Sequence, residues 1–301
     1  MLRQYFSIRN TLLLALSLAC SALQAEEVTV KQADTTLRGE LTLAKDKTLK
    51  DGVVLMLHGT LAHNNMEIMQ TVADLLKDKG YNSLRVNLSY GLDKRASTML
   101  DCGIEHRHKH EDALNELETW LNWLKQQGVS KVALFGHSRG GNQIAWYVAE
   151  KTPELLDKII LVAPATWDAK QTASDYQERY KQPLAPLMAE AEKSSQAGKA
   201  HNLMTLPGFV YCENAKASAE AVLSYYRDDA RKNTPSLLGK MTKPVLVVVG
   251  SEDKVVADLA RQLADIKQET LKVTTIEGAD HFFLDLYADE LADKTTEFLA
   301  W

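Results

Sequence analysis

The chain has 301 residues, 45% hydrophobic and 25% charged, with a formal net charge of −5. That balance suits a globular protein with a sizeable core and excludes a disordered or fibrous chain. No long basic run or aromatic–basic stripe is present, so nothing points to nucleic acid as a partner.

Residues 1–25 read as a targeting segment. Arg3 and Arg9 precede the apolar run LLLALSLA at 12–19, which is too short to span a bilayer, and small residues follow at Ser21, Ala22 and Ala25. This is the pattern of a secretory signal peptide cleaved after Ala25, which predicts a periplasmic or secreted protein of residues 26–301. The alternative is a bacterial lipoprotein anchored through Cys20. Cleavage after Ala25 removes Arg3 and Arg9 and moves the formal charge from −5 to −7. It leaves two cysteines, Cys102 and Cys212, either bridged to each other or held as separate buried thiols.

The elements follow in order. Residues 28–44 alternate loosely, as a hairpin turning at Ala33-Asp34 would. The run VVLML at 53–57 predicts a central strand buried on both faces, ending in His58-Gly59-Thr60. Met69, Val72, Leu75 and Leu76 mark a helix over 67–79, which Gly80 stops. A strand is expected at 82–88, a loop at 89–102, and a helix at 108–127 carrying Leu114, Leu117, Leu121 and Leu124. Strands are expected at 132–135, 158–163, 243–250 (entered at Pro244) and 271–276. Helices are expected at 142–150, 257–266 and 284–301. Apolar strands alternating with helices imply a mostly parallel sheet with helices on both faces. Residues 165–241 carry no strand pattern. They are polar, with prolines at 183, 186, 207 and 235, and 184–191 and 217–226 have helical patterning. A helical lid inserted in the sheet protein is the expectation.

The organising stretch is KVALFGHSRGGN at 131–142. A strand runs into Gly136-His137-Ser138-Arg139-Gly140 and a helix leaves it. Glycines at 136 and 140 permit a tight turn that lifts the Ser138 hydroxyl above the sheet edge. The helix N-terminus beside it favours developing negative charge. Ser138 is therefore a candidate nucleophile; the alternative is an ordinary N-cap. A serine hydroxyl needs a base, a group to orient that base, and donors for an oxyanion. His281, in Gly278-Ala279-Asp280-His281-Phe282-Phe283 after the last strand, is the candidate base, preferred over His58, His63, His106, His108, His110, His137 and His201. Asp253, in Gly250-Ser251-Glu252-Asp253, is the candidate acid; Glu252 is the runner-up, and the competing role for Asp253 is capping the next helix. The backbone N–H groups of Thr60 and Arg139 are the candidate oxyanion donors. For the Arg139 side chain, a surface salt bridge is favoured over binding a substrate carboxylate.

The motifs LMLHGT, GHSRGG, GSEDKVV and GADHFF, in that order, resemble the α/β-hydrolase family over roughly residues 28–301. The resemblance implies an eight-stranded, mostly parallel sheet and a lid inserted after the sixth strand. It also implies ester, thioester or peptide hydrolysis through an acyl-enzyme, with Ser138, His281 and Asp253 as nucleophile, base and acid. The motifs look most like the lidded esterases and serine-aminopeptidase-like members. Arg139 departs from the family pattern, since many members carry an uncharged residue there. The expected substrate is a small acyl compound, a carboxylic ester ahead of a peptide or thioester, with no cofactor. A non-catalytic ligand-binding protein on the same fold is the alternative of another class.

His106, His108 and His110 invite a metal reading, since alternate residues of an extended segment share a face. They abut a helix, on which such positions diverge by about 200°, and Arg107 and Lys109 would repel a cation. A solvated helix start is the preferred reading. Trp120, Trp123 and Trp146 are read as core or rim packing.

Overall fold

The computed structural model describes residues 25–301. The expected signal peptide, with its Cys20 alternative, lies outside the described residues apart from Ala25. Among the described residues no helix is long and apolar enough to cross a membrane.

The chain opens with strands β1 (Glu26–Gln32) and β2 (Thr35–Thr42), then β3 (Val53–Leu57), helix α1 (Glu67–Asp78) and β4 (Ser83–Asn87). A short β5 (Glu105–His106) precedes α2 (Asp112–Gln126), β6 (Val132–His137), α3 (Arg139–Glu150) and β7 (Leu156–Val162). Next come α4 (Ala169–Tyr180), α5 (Leu184–Gln196), the short strands β8 (Leu203–Thr205), β9 (Gly208–Phe209), β10 (Cys212–Glu213) and β11 (Lys216–Ser218), α6 (Ala219–Tyr226) and α7 (Pro235–Leu238). The chain closes with β12 (Val245–Gly250), α8 (Leu259–Leu263), β13 (Leu271–Ile276) and α9 (Leu286–Leu299).

Eight strands form one sheet in the order β1-β2-β4-β3-β6-β7-β12-β13. The pairs β1/β2 and β2/β4 are antiparallel and the remaining pairs are parallel. Strands β3, β4, β6 and β12 are buried at every residue, as helices on both faces require. Parallel strands joined by helical crossovers bring their carboxyl ends to one edge. The loops after β3, β6, β12 and β13 therefore converge there.

The segment between β7 and β12 follows the sixth strand of this sheet, but it is not the all-helical insertion expected. It holds helices α4 to α7 together with β8 to β11. Strands of two or three residues are too short to leave a period-two signal, and they gain their partners from distant chain. β11 pairs parallel with β5 and antiparallel with β8. The disulfide Cys102–Cys212 joins the loop after β4 to β10 and resolves the two cysteine alternatives in favour of the bridge. Buried apolar side chains run without a break from the sheet into this insertion, including Tyr176, Leu184, Phe209 and Tyr225. The Cys102→Ser/Cys212→Ser protein is expected to lose about 2–4 kcal/mol, because the bridge closes a separation of 110 residues in the unfolded chain. Urea midpoints of the two proteins under oxidising conditions check this; equal midpoints would count against it.

Candidate active site

Ser138 stands between β6 and α3 with φ 55° and ψ −123°, a backbone conformation that costs a non-glycine residue about 1–3 kcal/mol. The surroundings enforce it. A Cβ on Gly136 would lie 2.7 Å from the Gly140 carbonyl oxygen. One on Gly140 would lie 2.4 Å from the His58 oxygen and 2.6 Å from that of Leu57. Ser138 occupies the N-cap position, yet its hydroxyl makes no capping hydrogen bond. The hydroxyl instead lies 2.9 Å from His281 Nε2.

His281 Nδ1 lies 2.8 Å from Asp253 Oδ2. Asp253 Oδ1 accepts from the N–H groups of Val255 (2.7 Å) and Val256 (3.1 Å). Burial alone would raise the Asp253 pKa. The hydrogen bond and charge of His281, with those two N–H donors, outweigh it and hold the carboxyl below its ordinary value. Asp253 does not cap α8, whose N-cap is Asp258. Glu252 turns outward to Lys254, and Asp280 accepts from the Phe282 N–H. The structure thus brings together Ser138, His281 and Asp253 from three separate strand ends. All three are largely buried, with Ser138 the most exposed at 9%.

The N–H of Arg139 is at the first position of α3, where no intrahelical acceptor exists. The N–H of Thr60 has no backbone acceptor among the described residues. The Arg139 side chain corrects the expectation of a surface salt bridge. Its Nε donates to Thr60 Oγ1 at 2.9 Å, its Nη1 lies 3.0 Å from His110 Nδ1, and the guanidinium sits 5.2 Å from the Tyr225 ring centre. The two residues with candidate oxyanion donors are thereby tied side chain to side chain.

Several residues that support this arrangement were given no role by the sequence, although His58 and His137 lie within its motifs. His137 Nε2 donates to the His281 carbonyl at 2.8 Å. Burial, then the nearby His281, lowers the His137 pKa to about 4, so it stays neutral and fixes the loop of its neighbour. His58 accepts the Leu88 N–H at Nε2 (3.1 Å) and donates from Nδ1 to the Gly59 carbonyl (2.9 Å). Burial, and then Arg95, depresses its pKa to about 3. Arg95 donates to the Leu88, Thr98 and Ala62 carbonyls and to Asn87 Oδ1, lacing the loop after β3 to the loop after β4.

The reading of His106, His108 and His110 as a solvated helix start is overturned. α2 begins later, at Asp112, and all three rings are buried. His106 Nδ1 lies 3.2 Å from His108 Nε2, His108 Nδ1 lies 2.8 Å from the Tyr225 hydroxyl, and His110 stacks on Trp146. The insertion covers them, and no local pattern announces that. Among the described residues no group of three or more His, Cys, Asp or Glu side chains is arranged to hold a metal ion. Trp120 and Trp146 are buried in the core, with Trp123 partly buried against it.

A cavity of about 200 Å³ opens beside Ser138. Thr60 and Arg139 line it, with the aromatic residues Trp167, Tyr176, Tyr180, Tyr211, Tyr225 and Tyr226.

An eight-stranded, mostly parallel sheet with a serine on a strained turn after β6 defines an α/β hydrolase. The Hydrolase_4 family model, described as serine aminopeptidase, S33, matches residues 49–285, and the chain belongs to that family. Comparison with curated proteins found no match. Among solved structures the chain is similar to Est1E from Butyrivibrio proteoclasticus, with 18% identity, TM-score 0.64, and coverage of 91% of this chain and 97% of that one. It is similar to the Paleococcus ferrophilus monoacylglycerol lipase at 17% identity and TM-score 0.61, covering 87% and 98%. It is also similar to a Pyrococcus furiosus esterase at 16% identity and TM-score 0.60, covering 92% and 91%. These likenesses define the fold.

Proposed function

We propose that this hydrolase is an exported serine esterase that cleaves small carboxylic esters through an acyl-enzyme on Ser138. The observation that carries the reading is the chain Ser138 Oγ, His281 Nε2, His281 Nδ1, Asp253 Oδ2, with links of 2.9 and 2.8 Å. Ser138 Oγ bonds to the ester carbonyl carbon as its proton passes to His281 Nε2. The Thr60 and Arg139 N–H groups hold the resulting oxyanion, each contributing about 3 kcal/mol to lowering the barrier. The C–O bond to the alcohol breaks and His281 returns the proton to the leaving oxygen. Water then enters with His281 again as base, releases the acid and restores Ser138. Asp253 keeps the imidazole in the required tautomer.

The cavity's charges support an ester over an aminopeptide substrate. Two arginines, the half-buried Arg139 and the exposed Arg179, line it against one carboxylate, the exposed Asp175, a poor setting for a free α-ammonium group. The similar solved proteins include esterases and a monoacylglycerol lipase by title. The residue pattern at 1–25 and the Cys102–Cys212 bridge support export to an oxidising compartment.

Short-chain p-nitrophenyl esters assayed against aminoacyl p-nitroanilides, with fluorophosphonate labelling, test the reading. Ester turnover and one label per folded chain are expected. Faster anilide cleavage would replace the esterase by a peptidase, and a folded protein that neither labels nor turns over would end the serine-hydrolase reading.

A further inference from the structure

We propose that Arg139 is a specificity-determining residue that selects esters carrying a free carboxylate, held by its guanidinium while Ser138 attacks. The inference rests on the esterase reading above and names the substrate class within it.

Arg139 is half-buried, borders the cavity beside Ser138, and contacts neutral groups: Thr60 Oγ1, His110 Nδ1 and the Tyr225 ring. The protonation of His110 follows from its other partner. Asn142 Nδ2 donates to the Arg231 carbonyl and to Thr234 Oγ1. Its Oδ1 therefore faces His110 Nε2 at 3.0 Å, and Nε2 carries the hydrogen. Nδ1 keeps its lone pair and accepts from Arg139. Burial, then the adjacent Arg139 charge, holds the His110 pKa well below its ordinary value.

A guanidinium has five N–H donors. Among the described residues two are engaged, leaving three, and the engaged partners supply no negative charge. Arg85 has Glu40 and Arg231 has Asp229 and Glu150, while the buried Arg95 has no ion pair among the described residues and spends its donors on the Leu88, Thr98 and Ala62 carbonyls and Asn87 Oδ1. Arg139 has neither a carboxylate nor so full a set of acceptors. A partly desolvated cation without an anion is costly, and an arriving carboxylate would offset that cost. Held by Thr60 on one side and His110 on the other, the guanidinium plane is pre-oriented for a planar, bidentate partner.

The rest of the cavity agrees. Arg179 stands 4.7 Å from the Tyr211 ring centre, a second cation on the lining. Lys232, outside the lining, stands 4.4 Å from the ring of Trp167, and burial, then Arg139, lowers its pKa to about 7 against the opposing charge of Asp229, Glu111 and Asp228. The one acid on the lining, Asp175, is exposed and accepts from Gln171. The tyrosines and Trp167 would cover an apolar or aromatic body between the ester and its carboxylate.

Two matched substrate pairs test this. p-Nitrophenyl hydrogen adipate against p-nitrophenyl methyl adipate puts the charge in the acyl half. 4-Acetoxybenzoate against its methyl ester puts it in the leaving half. In one pair kcat/KM should favour the anionic member by about tenfold or more, as expected for charge-assisted hydrogen bonds, and that pair identifies the half Arg139 holds. Arg139→Gln should collapse the ratio towards one. Arg139→Lys, which keeps the charge without the fork, should retain part of it and serves if the glutamine variant does not fold. A purely structural role, tying down Thr60, would lower both members of a pair alike and leave the ratio intact; that result overturns the inference. A wild-type enzyme that labels with fluorophosphonate yet shows no anionic preference in either pair also overturns it, with the esterase reading standing. Absence of labelling and turnover overturns both.

Discussion

Ser138→Ala is expected to lower kcat for any ester this protein accepts by about 10⁶-fold and to abolish fluorophosphonate labelling. The hydroxyl is the only atom removed. His281 keeps Asp253 and the His137–His281 carbonyl contact, so the imidazole stays in place with nothing to deprotonate. Residual turnover above the uncatalysed rate would come from the proposed oxyanion donors, which are backbone groups and survive the change. The melting temperature should stay within a few degrees, because alanine suffers the same backbone strain at φ 55° as serine. Steady-state kinetics on purified folded protein decides the matter; a variant retaining a tenth of wild-type kcat would remove Ser138 from the chemistry.

Gly140→Ala should also be damaging, by another route. The added methyl would sit 2.4 Å from the His58 oxygen and 2.6 Å from the Leu57 oxygen, both main-chain atoms at the end of β3. No side-chain rotation relieves that contact, so β3 and α3 must separate. Overpacking of this kind costs about 1–3 kcal/mol in ordinary cores and more against backbone. The same shift would displace Thr60 from Arg139 and misplace the two N–H groups proposed to hold the oxyanion. We expect a clear fall in melting temperature and at least a hundredfold loss in kcat/KM with KM little changed. Wild-type stability and activity in this variant would mean that the tight turn is not required.

Much of this was legible in the chain because it is local. Runs such as VVLML at 53–57 and VLVVV at 245–249 are buried on both faces, and a stretch of four or more apolar residues between turns announces that directly. The Ser138 turn was legible because glycines at 136 and 140 are demanded by close backbone approach. His281 and Asp253 followed from their position just after strands, since parallel strands deliver their ends to one edge.

What the sequence by itself determined is therefore the sheet, the turn, and the candidate residues at strand ends, each dictated by contacts near in the chain or by the parallel topology. Only the tertiary structure decided the rest. It chose the bridge between Cys102 and Cys212, paired β11 with β5, buried His106, His108 and His110, and drew the Arg139 side chain inward to Thr60 and His110. The first three depend on how the insertion packs back onto the sheet, and the insertion's Tyr225 closes over Arg139. That packing joins residues as far as 110 or more positions apart, and pairings at such separation leave no periodicity or spacing in the chain for a reader to find.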